Sequence, residues 1–480
     1  MTRTSIFAAL VATTLLASCD MAPHYLRPAG AVPASLPQGG IYPPAATDAP
    51  DISRIGWRDF FVDPRLQAVI AQGLDNNRDL RVAAGNVLAA RARYRVQRAD
   101  QVPSTGVAGD ATFTNTAGFA ANAGAAGGGS QNIEVYTANV GFSNFELDLF
   151  GRVRNLSKAA LEQYFATEEA QRATRISLIA EIANAWLTAA ADRDQLALSR
   201  QTLKAFEQTR TLAQAQFRIG VASELEARQA DSQYQGALND IAVLETRIAQ
   251  DRNALELLVG APVSDAQLPD ALGEGRATLD NLQAGLSSEL LLRRPDVLQA
   301  EHQLIAENAN IGAARAARFP TISLTATLGT ISSALSGLFG NGSGTYSAGP
   351  SINLPIFDGG KGAANVRLSQ ANRDIAVANY DKAIQTAFRE VADALAQRGT
   401  IDRQITAQSR RAESAGVAAR LSDARYRVGV DSFLTALDAQ RVAYAVSQQL
   451  VTTRLTRSTN LVTLYRTLGG GLRETGLPNR

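Results

Sequence analysis

Reactive side chains are scarce in this chain. Its 480 residues include two histidines, His24 and His302, and one cysteine, Cys19. A protein metal site draws several ligands from such residues, and a disulfide needs a second thiol. Neither is expected here, and no cofactor is expected. No Ser/His/Asp constellation can be assembled from the sequence. The run Gly337, Gly340, Gly342 and Gly344 is followed by neither a lysine nor a helix, so it reads as a loop rather than a phosphate cradle. His302 reads as a surface or hydrogen-bonded histidine, and His24 has no evident partner. These features argue against an enzyme. The net charge of +2 gives no pull toward nucleic acid.

One covalent chemistry is indicated. Met1-Thr2-Arg3 is a short cationic start, and Ile6 to Leu16 is an apolar run too short to anchor a bilayer permanently. Leu16-Ala17-Ser18-Cys19 matches the cleavage box of bacterial lipoproteins. Cys19 is therefore the expected lipidation site, with residues 1–18 removed as a signal peptide. Acyl chains such as palmitate would hold the mature chain on a membrane facing the periplasm. Asp20 follows directly, and in some bacteria an aspartate at that place favours retention in the inner membrane.

The elements that position the remaining residues are organised around two helix-to-helix turns. Tyr426-Arg427-Val428-Gly429-Val430-Asp431-Ser432 interrupts a very long helical pattern, and the helix restarts at once. Phe217-Arg218-Ile219-Gly220-Val221-Ala222-Ser223 repeats the same aromatic-x-x-Gly-Val-x-Ser pattern earlier. Glycine suits the positive φ that ends a helix, and Asp431 or Ser432 can cap the next one. The chain is thus internally duplicated.

Each half has the same order. In the first, Asp63-Pro64 opens a helix with Leu66, Val69, Ile70, Gly73 and Leu74 at helical spacing, and Asn76-Asn77-Arg78-Asp79 breaks it. Val107, Gly109, Ala111 and Phe113, then Tyr136, Ala138, Val140 and Phe142, alternate with small or polar residues and predict two strands. Helical period resumes at Gly151 and reaches about Arg218, roughly 100 Å at about 1.5 Å per residue. Its stripe is Ile176, Ile179, Ala183, Trp186, Leu187 and Ala190. A return helix runs to about Val259. In the second half Pro295 and Asp296 suit a helix start. Two strands follow: Ile322, Leu324, Ala326 and Leu328 against Thr321, Ser323, Thr325 and Thr327, then Tyr346, Ala348, Pro350, Ile352 and Leu354. A second very long helix and its return, to about Leu468, complete the half.

Four amphipathic strands cannot close a barrel alone, because single-chain outer-membrane barrels begin at about eight. Either they form a soluble sheet, or several chains each contribute four. The Ser/Thr face suits a wet lumen and the Ile/Leu face suits lipid. The long helices must likewise bury their stripes against other helices, which Ala-rich seams permit.

The chain resembles the outer membrane factor family, the TolC-like exit ducts of tripartite efflux pumps, and looks closest to its lipidated branch. The residues that carry the resemblance are Leu290-Leu291-Leu292-Arg293-Arg294-Pro295-Asp296-Val297, Ala313-Ala314-Arg315-Ala316-Ala317-Arg318-Phe319-Pro320 and Glu146-Leu147-Asp148-Leu149-Phe150-Gly151-Arg152. Leu354-Pro355-Ile356-Phe357-Asp358-Gly359-Gly360, the Gly429 turn and Leu468-Gly469-Gly470-Gly471 add to them. The resemblance implies an α+β membrane protein: a homotrimer with a twelve-stranded β-barrel in outer-membrane lipid and a long antiparallel α-helical periplasmic barrel. It implies a lipidated tether and start of an equatorial region at 19–64, and a first repeat at 65–262 with a hairpin at about 104–146. A linker at 263–288, a second repeat at 289–468 with a hairpin at about 320–356, and a tail at 469–480 follow.

Matched onto this sequence, the family's periplasmic gate falls on Leu434 and Asp438, with Arg441 as a nearby tie between helices. Leu434 and Asp438 are i,i+4 neighbours and share a helix face. The first repeat has Leu225 and Gln229 there. Gly220-Val221 and Gly429-Val430 would be the contacts for a periplasmic adaptor (membrane fusion) protein, with an inner-membrane proton-driven multidrug transporter as the further partner. The expected function is passive, gated conduction of small amphiphilic compounds. A type I-like duct for proteins or glycans, and a non-conducting structural trimeric surface lipoprotein, are the alternatives.

Overall fold

The computed structural model describes residues 20–44, 55–115, 132–272, 277–280 and 287–470. The expected signal peptide, Cys19, the first hairpin's loop, parts of the linker and the tail from residue 471 lie outside the described residues. The main elements are α1 (Pro64–Asn76), α2 (Arg78–Ala99), β1 (Gly106–Asn115), β2 (Asn132–Leu147), α3 (Arg152–Arg218) and α4 (Glu224–Val259). They are followed by α5 (Pro295–Ala316), β3 (Thr321–Ser332), β4 (Gly344–Asn353), α6 (Lys361–Arg427) and α7 (Phe433–Thr467). Among the described residues no helix is long and apolar enough to cross a membrane.

The chain divides into two compact units, each drawing on both sequence repeats. One comprises the residues up to Pro28, Val87–Thr167 and Ala300–Tyr380. It holds a four-stranded antiparallel sheet in the order β1-β2-β3-β4, so the two hairpins are joined through β2 and β3. The register puts Val107 opposite Val140, Val140 opposite Leu328 and Leu328 opposite Tyr346. One apolar face therefore runs across all four strands, because directly paired residues point the same way. Thr327 pairs with Ser347 and Thr321 with Asn353 on the other face.

The alternation in β2 breaks after Phe142. Phe142 pairs with Ala326 but Phe145 with Leu324, an extra residue in β2 marking a bulge. Asn144 takes the extra turn with φ 56, and its N–H donates to Thr325 Oγ1. Strict alternation would put Asn144 and Glu146 on the apolar face; the bulge puts Phe145 and Leu147 there instead. Glu146 then pairs with Arg152 at the start of α3. In the same unit Phe150 stacks on Phe319, 4.7 Å between ring centres. His302 meets Glu162 at 2.7 Å and packs on Phe165.

The second unit comprises Ala29–Asn86, Glu168–Gln299 and the residues from Asp381 onward. Asp63 caps α1 by accepting from the Arg65 N–H, with Pro64 at the first helical position. Leu66, Val69, Ile70 and Gly73 are buried, and Gly73 lies against Ile182 of α3. The α3 stripe from Ile176 to Ala190 is buried throughout. Phe60 stacks on Tyr465 at 4.0 Å, and the Tyr465 hydroxyl donates to the Ile55 carbonyl. Arg294 is buried and donates to the Thr467 carbonyl, to Asp296 and to Glu390, which locks the entry to α5 onto α6 and the end of α7.

Candidate functional site

Both helix-to-helix turns have one geometry. Gly220 and Gly429 have φ of 79° and 77°, where a side chain would clash with the following carbonyl. The Gly220 N–H donates to Phe217 O and the Val221 N–H to Gln216 O. The Gly429 N–H donates to Tyr426 O and the Val430 N–H to Arg425 O. These bond pairs form a Schellman motif in each hairpin. Ser223 and Ser432 cap the returning helices. Asp431, offered by the sequence as an alternative cap, instead accepts from Nε and Nη2 of Arg425 at 2.8 and 2.9 Å. The paired guanidinium holds the Asp431 carboxyl below its ordinary pKa.

The turns themselves are apolar and open to solvent. Val221 is 73% exposed and Val430 61%, and Ile219 and Val428 beside them are equally open. Among the described residues nothing covers these two valine-bearing tips.

Just past the second turn, α7 sorts its residues onto two faces. Phe433, Ala436 and Leu437 are buried with Ala213, Ala230 and Tyr426 in a small core that joins the two helical hairpins. Leu434 is 62% exposed, and Asp438 and Arg441 are also exposed. Leu434 and Asp438 line an open groove of about 560 Å³ with Val442 and with Ala415, Ala418 and Ser422 of α6. Among the described residues neither Asp438 nor Arg441 has a side-chain hydrogen-bond or ion-pair partner. The structure thus brings Leu434 and Asp438 into one groove. Arg441 lies on the same side but, among the described residues, does not bridge helices. Leu225, the counterpart of Leu434, is exposed on α4.

Polar ties between the hairpins were missed by the sequence reading. The Tyr426 hydroxyl donates to Gln216 Oε1 at 2.6 Å, and Gln440 Nε2 to Thr209 Oγ1 at 3.2 Å. Tyr444 donates to Asp240 Oδ2 at 2.9 Å and lies 2.8 Å from Ser199 Oγ. Burial and the Asp240 carboxylate push the Tyr444 hydroxyl above its ordinary pKa, so it stays a donor. A signal existed: Phe433, Leu437, Gln440 and Tyr444 follow the spacing of a coiled-coil seam. A glutamine and a tyrosine at seam positions need partners across it.

Among the described residues no group of three or more His, Cys, Asp or Glu side chains could hold a metal ion. Cys19 lies outside the described residues, but Asp20 beside it is held. Its carboxylate accepts from the Ala22 N–H and from Asn155 Nδ2, both at 2.9 Å.

A family model described as outer membrane efflux protein matches residues 69–261 and 286–470. The toluene efflux pump outer membrane protein TtgC of Pseudomonas putida is 43% identical over 477 residues, 99% of this chain and 98% of that one. The outer membrane protein OprJ of Pseudomonas aeruginosa is 42% identical over 478 residues, 98% of this chain and 96% of that one. The crystal structure of the open state of the Neisseria gonorrhoeae MtrE outer membrane channel superposes with a TM-score of 0.83 at 36% identity. That match covers 96% of this chain and all of that one.

Proposed function

The chain belongs to the outer membrane efflux protein family, and from that premise we propose a passive, gated duct closed by three copies. The protein is an outer-membrane exit duct of an efflux pump. Its substrates are proposed to be small amphiphilic compounds, handed over by a periplasmic adaptor and an inner-membrane proton-driven transporter. No step in the duct is chemical, and the energy comes from the transporter.

The observation that carries this reading is the sheet. Among the described residues its order leaves β1 and β4 as unpaired edges, and one face is apolar across all four strands. Unpaired edges in a bilayer core leave backbone groups unsatisfied, so the sheet must close. Pairing β4 of one copy with β1 of the next closes twelve strands in a trimer, the apolar face turned to lipid and the Ser/Thr face to water.

In the second unit, Leu434 and Asp438 would each form a ring of three. The leucines narrow an apolar constriction. The carboxylates repel one another and favour cations or a nearby guanidinium, which Arg441 can supply from another copy. The tips Gly220-Val221 and Gly429-Val430 are proposed as the adaptor's docking points, since they are small, apolar and open. Cys19 is proposed to carry the lipid.

The test is accumulation of a fluorescent amphiphilic dye in cells with and without the gene, other exit ducts being deleted. Loss of the gene should raise accumulation and its return should lower it. Unchanged accumulation with a trimer present in the outer membrane would reject the substrate class.

A further inference from the structure

The residue after the expected lipidation site poses a conflict. Aspartate next to an acylated cysteine favours inner-membrane retention in some bacteria, yet this chain is an outer-membrane protein. The structure offers a way out in the segment from Asp20 to Arg27. That segment is strapped to the body along its length. The Met21 carbonyl accepts from Arg315 at 3.2 Å and the Pro23 carbonyl from Asn308 at 2.7 Å. Gly312 lets the strap lie close, because a Cβ there would sit 2.7 Å from the Ala22 nitrogen. At the far end Tyr25 and Arg27 both bind Glu301, the arginine through two parallel bonds of 2.8 Å. Glu301 is buried, and those two partners supply the hydrogen bonds its carboxylate oxygens need there.

The near end of the strap holds the aspartate itself. Asp20 lies at the surface, so burial does not hide it. Its Oδ1 is instead tied by Asn155 and by the Ala22 N–H. Asn155 is 2% exposed and is anchored through the Gly151 carbonyl. Partial burial raises the Asp20 pKa, but these two bonds and the positive charges of Lys158 and Arg154 outweigh it, and the group stays ionised. The ionised carboxylate is thus already engaged by the protein's own donors.

We propose that the strap is a built-in lock on the sorting signal: in the folded chain Asn155 and the strap hold the Asp20 carboxylate away from the machinery that reads the residue beside the lipid. An aspartate differs from a permitted serine chiefly in that carboxylate, so holding it makes the two equivalent to a reader. The chain then leaves the inner membrane once its strap has docked. This rests on Cys19 being lipidated.

The experiment is membrane fractionation on a density gradient, in a host that retains aspartate-bearing lipoproteins in its inner membrane. Two variants open the lock at different places: Asn155→Leu, and the double change Tyr25→Phe with Arg27→Gln. Each is also made in an Asp20→Ser background, and palmitate incorporation is followed throughout. The expected result is a several-fold rise of the inner-membrane fraction in both variants, reversed by Asp20→Ser in both. The proposal is overturned if both variants stay in the outer membrane, or if Asp20→Ser fails to reverse the shift, which would mark misfolding rather than sorting. A chain that takes up no palmitate also overturns it, while dye efflux still reports separately on the duct.

Discussion

If the hairpins must part for the gate to open, the Tyr444 tie sets part of the cost. Tyr444 on α7 donates to Asp240 on α4 at 2.9 Å and meets Ser199 on α3 at 2.8 Å. Tyr444→Phe removes the hydroxyl and keeps the ring, which packs edge-on against Phe206. A hydrogen bond to a charged group contributes about 1.5–3 kcal/mol, and the lower end applies because the site is only part-buried. Three copies opening together would lose about 4.5 kcal/mol of closure. At a factor of ten per about 1.4 kcal/mol, the closed-to-open ratio falls roughly a thousandfold. Single-channel recording in a planar bilayer reads this directly as higher mean conductance or longer openings. The trimer's melting temperature should change little, since one part-buried bond per chain is small beside total stability. Unchanged conductance in an intact Tyr444→Phe trimer would show that this tie does not hold the gate, and the coupling argument would fail.

Asp438→Ala or Leu434→Ala should each raise single-channel conductance; no change in both would remove the gate assignment. Gly429→Arg or Gly220→Arg should cut crosslinking to the adaptor at least tenfold while trimers persist, at about 1–2 kcal/mol of local strain from the left-handed backbone. Normal crosslinking would reject the tip contact. Arg294→Met strips Glu390 and the Thr467 carbonyl of a buried donor and should cost about 3–5 kcal/mol, seen as a lower denaturant midpoint; a midpoint equal to wild type would refute it. Burial and then the neighbouring Asp192 charge push Asp251 up to about 6. A raised folded pKa adds stability below the unfolded value and loses it as pH rises through about 6. Thermal stability should therefore fall between about pH 4 and pH 7, and Asp251→Asn should flatten that slope; an unaltered slope would discount the pair.

Much of the fold was legible because it is periodic. The long helices repeat their stripes, the strands alternate, and glycine and serine mark both turns. The duplicated turn pattern marks both hairpin tips, and the i,i+4 spacing alone puts Leu434 and Asp438 on one face. Other features depended on partners far away in sequence. Nothing in the composition of β2 announced that Phe145, rather than Asn144, would join the apolar face; the pairing with Leu324 required the bulge. Asp431 looked as good a cap as Ser432 until Arg425 claimed it. Pro295 and Asp296 marked a helix start, but the bonds of Arg294 beside them to Glu390 and the end of α7 needed the folded chain.

The sequence by itself determined the elements, their order and their duplication, since local periodicity and turn chemistry act over a few residues. It also marked the scarcity of reactive groups. Tertiary structure alone decided that β2 would pair with β3 across the repeats. It decided that Tyr426, Gln440 and Tyr444 would tie one hairpin to the other, and that a strap at the N-terminus would fasten Asp20 to Asn155 and Arg27 to Glu301. The physical reason is the same in each case. A buried or charged polar group needs a partner, and which partner it finds depends on where packing brings distant segments together.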